Sequence, residues 1–144
     1  MKTLSILLFA VLTVIAALHA YWALGGLWPA KSEAELIRTV IGQKNFVRMP
    51  PAWMTFVVSG LVMTAAFIGL SASGALPIGW PWLARLGALG VALVMLARGA
   101  VTYVLPDANH ALLEPFATLN YRYYSPLCLA LGVGFLCLAF VGRR

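Results

Sequence analysis

Four long apolar runs dominate the chain, separated by shorter polar stretches. They cover about residues 4–27, 52–72, 83–105 and 124–141. A helix needs about 20 apolar residues to cross roughly 30 Å of hydrocarbon, so each run is long enough, or nearly so, to span a membrane. The runs are continuous rather than alternating, which argues against the two-residue period of a membrane β-barrel. Small residues recur every four positions: Ala65, Gly69 and Ser73 on the second run, Ala84, Ala88 and Ala92 on the third. That spacing lets helix backbones approach closely. The pattern predicts an all-α fold, a four-transmembrane-helix bundle forming a single domain over residues 1–144.

The connections refine this plan. Residues 73–82 hold Gly74, Pro77, Gly79 and Pro81 and read as a turn, with Trp80 and Trp82 placed for the headgroup zone. The other two connections are long. In residues 28–51, Ser32-Glu33-Ala34-Glu35 has a capping-box pattern that starts a helix, and Gly42 ends it. Leu36, Ile37, Val40 and Ile41 share one face, which predicts a short amphipathic surface helix between spans 1 and 2, lying along the membrane. Residues 106–123 have room for one helical turn between Pro106-Asp107 and Glu114-Pro115. Ser125 and Pro126 suit the cap and first turn of the last span. Lys2 and residues 17–20 loosely resemble a secretion signal, but cleavage after Ala20 would put Leu18 where a small residue is wanted. We read this run as a retained first span.

Composition then narrows the function classes. The chain is 62% hydrophobic and only 10% charged, against about 25% charged in soluble domains, which all but excludes a water-soluble enzyme. Its ten Lys and Arg residues are scattered and make no basic stripe, so nucleic acid is not an expected partner. Four spans put both termini and the short turn on one side, side A, with Lys2, Arg85, Arg143 and Arg144. Side B holds the two long connections, with Lys31, Arg38, Lys44, Arg48 and Arg122. These counts do not fix the orientation. Basic residues at both chain ends favour side A as cytoplasmic. Every acid and both histidines fall on side B.

The candidate chemistry lies among polar residues inside the apolar runs. Arg98 has no nearby charge in sequence and sits about 12 Å below the side B end of its span, counted to Pro106. An intramembrane arginine costs at least about 2.5 kcal/mol on insertion scales and marks a functional position by default. Two structural readings compete: snorkelling to the surface, or an ion pair with Asp107 or Glu114. His19 lies roughly 9–15 Å below side B, with Trp22 on the same face. It reads as a neutral histidine bonded to a carbonyl or a tyrosine, a proton carrier, or a haem ligand with His110 as its only second histidine. At the start of the last span, Asn120, Tyr121, Arg122, Tyr123, Tyr124 and Ser125 offer either an interfacial aromatic belt or a helix N-terminus able to receive an anion. Cys128 and Cys137 are nine residues apart, which puts them on opposite helix faces, and no zinc spacing is present. No catalytic motif is present either. A faint repeat, His19–Pro29–Pro51 against Arg98–Pro106–Pro126, fits two hairpins of one plan, and chance proline placement explains it nearly as well.

Two motifs carry a resemblance. His19-x-Tyr21-Trp22-Ala23-Leu24-Gly25-Gly26-x-Trp28-Pro29 and Leu119-Asn120-x-x-Tyr123-Tyr124-Ser125-Pro126-Leu127-Cys128 resemble a family of small bacterial four-helix membrane proteins known only as a domain of unknown function. The resemblance covers essentially the whole chain. It implies a bacterial inner (cytoplasmic) membrane protein and no activity, cofactor or catalytic residue. The first functional expectation is a side B pocket lined by His19, Tyr21, Trp22, Arg98, Glu114, Asn120, Tyr123, Tyr124 and Ser125, holding a small amphipathic or lipid-like, anionic ligand. Simple transport is disfavoured, because side A offers no evident buried polar residue. A membrane-surface enzyme or haem protein using His19 or His110 is the second expectation. A non-catalytic assembly partner or homo-oligomer is the third.

Overall fold

A computed structural model describes residues 1–141. Arg143 and Arg144, two of the side A cations, lie outside the described residues. The elements are α1 Lys2–Ala23, α2 Glu33–Val40, α3 Ala52–Ser73, α4 Pro81–Val104, α5 Pro106–His110 and α6 Phe116–Val141. Helices α1, α3, α4 and α6 are each long and apolar enough to cross a membrane, and the described residues contain no strand. The chain is an all-helical, multi-pass membrane protein.

The four spans pair as two antiparallel hairpins, α1 with α3 and α4 with α6, joined mainly along α3 and α4. Leu8, Leu12, Ala65, Ala66, Ala88, Ala92, Phe135 and Leu138 form the core. Between spans surrounded by lipid, close packing and interhelical hydrogen bonds replace the hydrophobic drive. Both small-residue rows take part: Ala65, Gly69, Ser73, Ala88 and Ala92 are buried, and Ala84 packs against them. Outward, Ile6, Leu7, Val14, Leu61, Leu93, Val94 and Phe140 make an apolar belt suited to lipid. Side A does contain buried polar groups, contrary to expectation. The hydroxyls of Ser5 and Ser73 lie 2.7 Å apart, and Ser71 donates to the Ile78 carbonyl. They tie α1 to α3 and close the turn that follows α3.

The α2 helix starts and stops as expected. The Ser32 hydroxyl accepts from the Glu35 amide at 3.2 Å, and Gly42 ends the helix at a φ of 69°. Its apolar face, however, turns into the protein: Leu36 and Ile37 are buried. Three hydrogen bonds bolt α2 to the second hairpin. Arg38 Nε donates to the Glu114 carbonyl, the Tyr124 hydroxyl to the Thr39 carbonyl, and the Leu113 amide to the Gly42 carbonyl. Gly42 permits this approach, because a Cβ there would overlap the Phe116 ring.

Helix α6 begins at Phe116, about two turns before the expected 124. Glu114 caps it by accepting from the Thr118 amide and hydroxyl. Residues Asn120–Tyr124 form a π-helical turn, in which the Ser125 amide donates to the Asn120 carbonyl. Ser125 and Pro126 therefore lie inside the helix, and no helix N-terminus opens there to receive an anion. Proline supplies no N–H. In the π register, the carbonyl that Pro126 leaves without a donor is that of Tyr121. The Tyr103 hydroxyl of α4 donates to that carbonyl at 2.7 Å, with the two tyrosine rings edge-to-face at 5.0 Å.

Candidate functional site

The π turn places a buried polar network between α4 and α6. Arg98 Nη2 donates to Asn120 Oδ1 at 2.9 Å. Asn120 Nδ2 donates to Thr102 Oγ1 at 2.9 Å and to Asn109 Oδ1 at 2.8 Å. Asn109 donates in turn to the Ala117 carbonyl, and Ser125 Oγ lies 2.7 Å from Thr102 Oγ1. Asn120 and Thr102 are 2% exposed and Ser125 is fully buried, so these side chains meet inside the protein, while Arg98 reaches them from an exposed position. The backbones approach closely here because residue 99 is glycine, facing Leu129 and the Ser125 carbonyl.

Arg98 stands at the edge of this network, six residues before the end of α4, about 9 Å down its axis. It lines a cleft of about 380 Å³. The walls are Val101 and Thr102 from α4, Ala108, Asn109 and Leu112 from the α5 region, Phe116 and Asn120 from α6, and Val40, Ile41 and Gln43 at the end of α2. The hydrogen bond of Arg98 thus goes to a neutral amide rather than to Asp107 or Glu114. A guanidinium carries five N–H donors. One is engaged by Asn120, and the positive charge meets no carboxylate among the residues that line the cleft.

His19 lines a different cleft, of about 320 Å³, with Trp22, Phe46, Met49, Pro50, Met54, Thr55 and Val58. Val40 and Ile41 border both clefts and stand between them. The residues expected in one pocket are therefore distributed. Arg98 and Asn120 line the first cleft, and His19 and Trp22 the second. Tyr21 and Trp22 tie down the chain after α1: the Trp22 indole donates to the Trp28 carbonyl at 2.7 Å, and the Tyr21 hydroxyl accepts from the Trp28 amide. Gly26 lies against the Tyr21 ring, where no Cβ would fit. Tyr124 bonds α2 and packs on Phe116, Ser125 sits in the network, and Glu114 caps α6. Tyr123 and His110 are exposed and line neither cleft.

Sequence reasoning missed Thr102 and Asn109. Thr102 carried a signal, one helical turn from Arg98 on the same face. Asn109 follows a helix break, so no periodicity reaches it. Among the described residues, no three of His, Cys, Asp and Glu converge as metal ligands.

A family model described as a protein of unknown function (DUF3995) matches residues 12–135. No curated protein matches, and no solved structure matches.

Proposed function

Because the chain belongs to this family of unknown function, we propose its role from its own side B chemistry: it is a binding module that holds a small anionic amphiphile in the Arg98 cleft. One observation supports this above the rest. A cation inside an apolar span is oriented by a neutral amide, which leaves its charge for a guest. An anionic head would sit on Arg98 in a charge-assisted hydrogen bond. Its tail would run along Val40, Ile41, Val101, Leu112 and Phe116, and the cleft volume falls in the range of small-molecule sites. A membrane phospholipid and a free fatty acid share this chemistry.

The test is native mass spectrometry in mild detergent with phosphatidylglycerol, a fatty acid and phosphatidylcholine. The wild type should retain one of the two anionic lipids over phosphatidylcholine. Hydrogen bonds to charged groups contribute about 1.5–3 kcal/mol, so Arg98→Gln should lower retention about tenfold or more. Thermal unfolding of the same two proteins separates lost charge from lost folding. Equal retention by wild type and variant would sink the proposal. An enzyme or haem role draws less support, because His19 lines one cleft while His110 stands exposed at the end of α5.

We further place the protein in a bacterial inner membrane with both termini cytoplasmic, on the resemblance and the basic residues near the chain ends. A C-terminal reporter active only in the periplasm would reverse this orientation.

A further inference from the structure

We infer a second ligand site, in the His19 cleft, that takes a neutral, lipid-soluble aromatic ring bearing a hydroxyl donor, a phenol or quinol. The chemistry starts with the His19 tautomer. Its Nδ1 lies 2.8 Å from the Ile15 carbonyl oxygen. A carbonyl only accepts, so Nδ1 carries the proton and the neutral ring presents a lone pair at Nε2. Trp22 meets the imidazole edge-to-face at 5.4 Å and steadies it. The Trp22 N–H is itself engaged by the Trp28 carbonyl. The cleft therefore offers one strong acceptor, with the Thr55 hydroxyl as its other polar side-chain group.

The lining selects against other ligand classes. A lone pair repels an anion, which separates this cleft from that of Arg98. No carboxylate lines it, so an ammonium group would have no counter-charge. What remains is a neutral donor. The walls suit a ring: Trp22 and Phe46 offer aromatic surface, and Met49 and Met54 offer thioethers, which pack well on rings. Phe46, Met54 and Val58 are also partly exposed on the outer surface. Met54 and Val58 lie on a span helix, so the cleft opens sideways toward hydrocarbon, where an alkyl tail can stay.

The experiment uses the full chain in lipid nanodiscs with 15N-labelled imidazoles, in a His110→Gln background so that one histidine reports. The probes are a hydroquinone carrying one decyl chain and its dimethyl ether, which has the same apolar body without the donors. The hydroquinone should shift the His19 Nε2 resonance saturably, and the ether should bind about tenfold more weakly. A fatty acid in excess, the kind of guest the Arg98 cleft would take, should not displace the hydroquinone, so the two sites stand or fall separately. No saturable shift, equal binding of the two probes, or displacement by the fatty acid would each overturn the assignment.

Discussion

Gly99→Leu is expected to prevent assembly of the second hairpin, a loss of about 4 kcal/mol or more in stability. A Cβ at residue 99 would lie 2.7 Å from Leu129 Cγ, 2.8 Å from the Ser125 carbonyl oxygen and 2.9 Å from Leu129 Cδ2. Leu129 can rotate its tip away. The Ser125 carbonyl is backbone, fixed by the helix that follows the π turn, so relief requires α4 and α6 to separate. Ordinary overpacking costs about 1–3 kcal/mol, and losses beyond about 4 kcal/mol arise when the neighbouring structure has nowhere to go. Gly99→Ala, one carbon larger, should fall in the lower range. A Cβ at Gly90, on the same helix, would meet no atom within 4 Å, so Gly90→Leu should melt like the wild type. Thermal unfolding by circular dichroism in mild detergent, with size exclusion, reads all three. A monodisperse Gly99→Leu protein melting within a few degrees of wild type would show that the hairpin does not depend on this contact.

Asn120→Leu is the second large effect. Its side chain bonds to Arg98, Thr102, Asn109 and Ser125. Interhelical hydrogen bonds in membranes average about 0.6 kcal/mol and reach about 1.7 kcal/mol. Three of the four cross between helices and sum to about 2 kcal/mol, and leucine also strands the buried partners. Asn120→Asp divides structure from function. The carboxylate still accepts from Arg98, so part of the stability survives. It cannot donate to Thr102 or Asn109, so stability should fall between wild type and Asn120→Leu. It also brings a negative charge to the guanidinium, which should abolish retention of an anionic amphiphile. Thermal unfolding and native mass spectrometry on the same three proteins separate these effects. Full lipid retention in Asn120→Asp would mean that the charge of Arg98 does not hold the guest.

Four spans, the start and stop of α2 and the small-residue rows were legible because each is a local or periodic property of the chain. The start of α6 was not. Glu114-Pro115 and Ser125-Pro126 both look like helix beginnings, and only the first is one. The second is absorbed because Tyr103, on another helix, supplies the missing donor. A contact so distant in sequence leaves no mark at Pro126 itself. The placement of α2 failed to read for a different reason. An amphipathic face records that an apolar partner exists, not whether it is lipid or protein. Similar counted depths drew His19 and Arg98 toward one pocket. Depth says nothing about direction around the bundle, and Val40 and Ile41 stand between them. Asn120 and Ser125 were singled out as an anion site at a helix start, whereas their place is in a buried network.

The π turn has a consequence for helical phase. In a uniform α-helix each residue turns about 100°, so Asn120 and Ser125, five apart, would point about 140° away from each other. The wider turn brings them to the same side, with 3.3 Å between their side-chain oxygens. The inserted residue thus lets one helix carry two registers. Its upper part is keyed to Arg98 and Thr102 across the polar network. Its lower part is keyed to the apolar seam, with Gly132 against Leu96 and Gly134 against Leu8. A helix of constant pitch could satisfy one of these faces and would turn the other away.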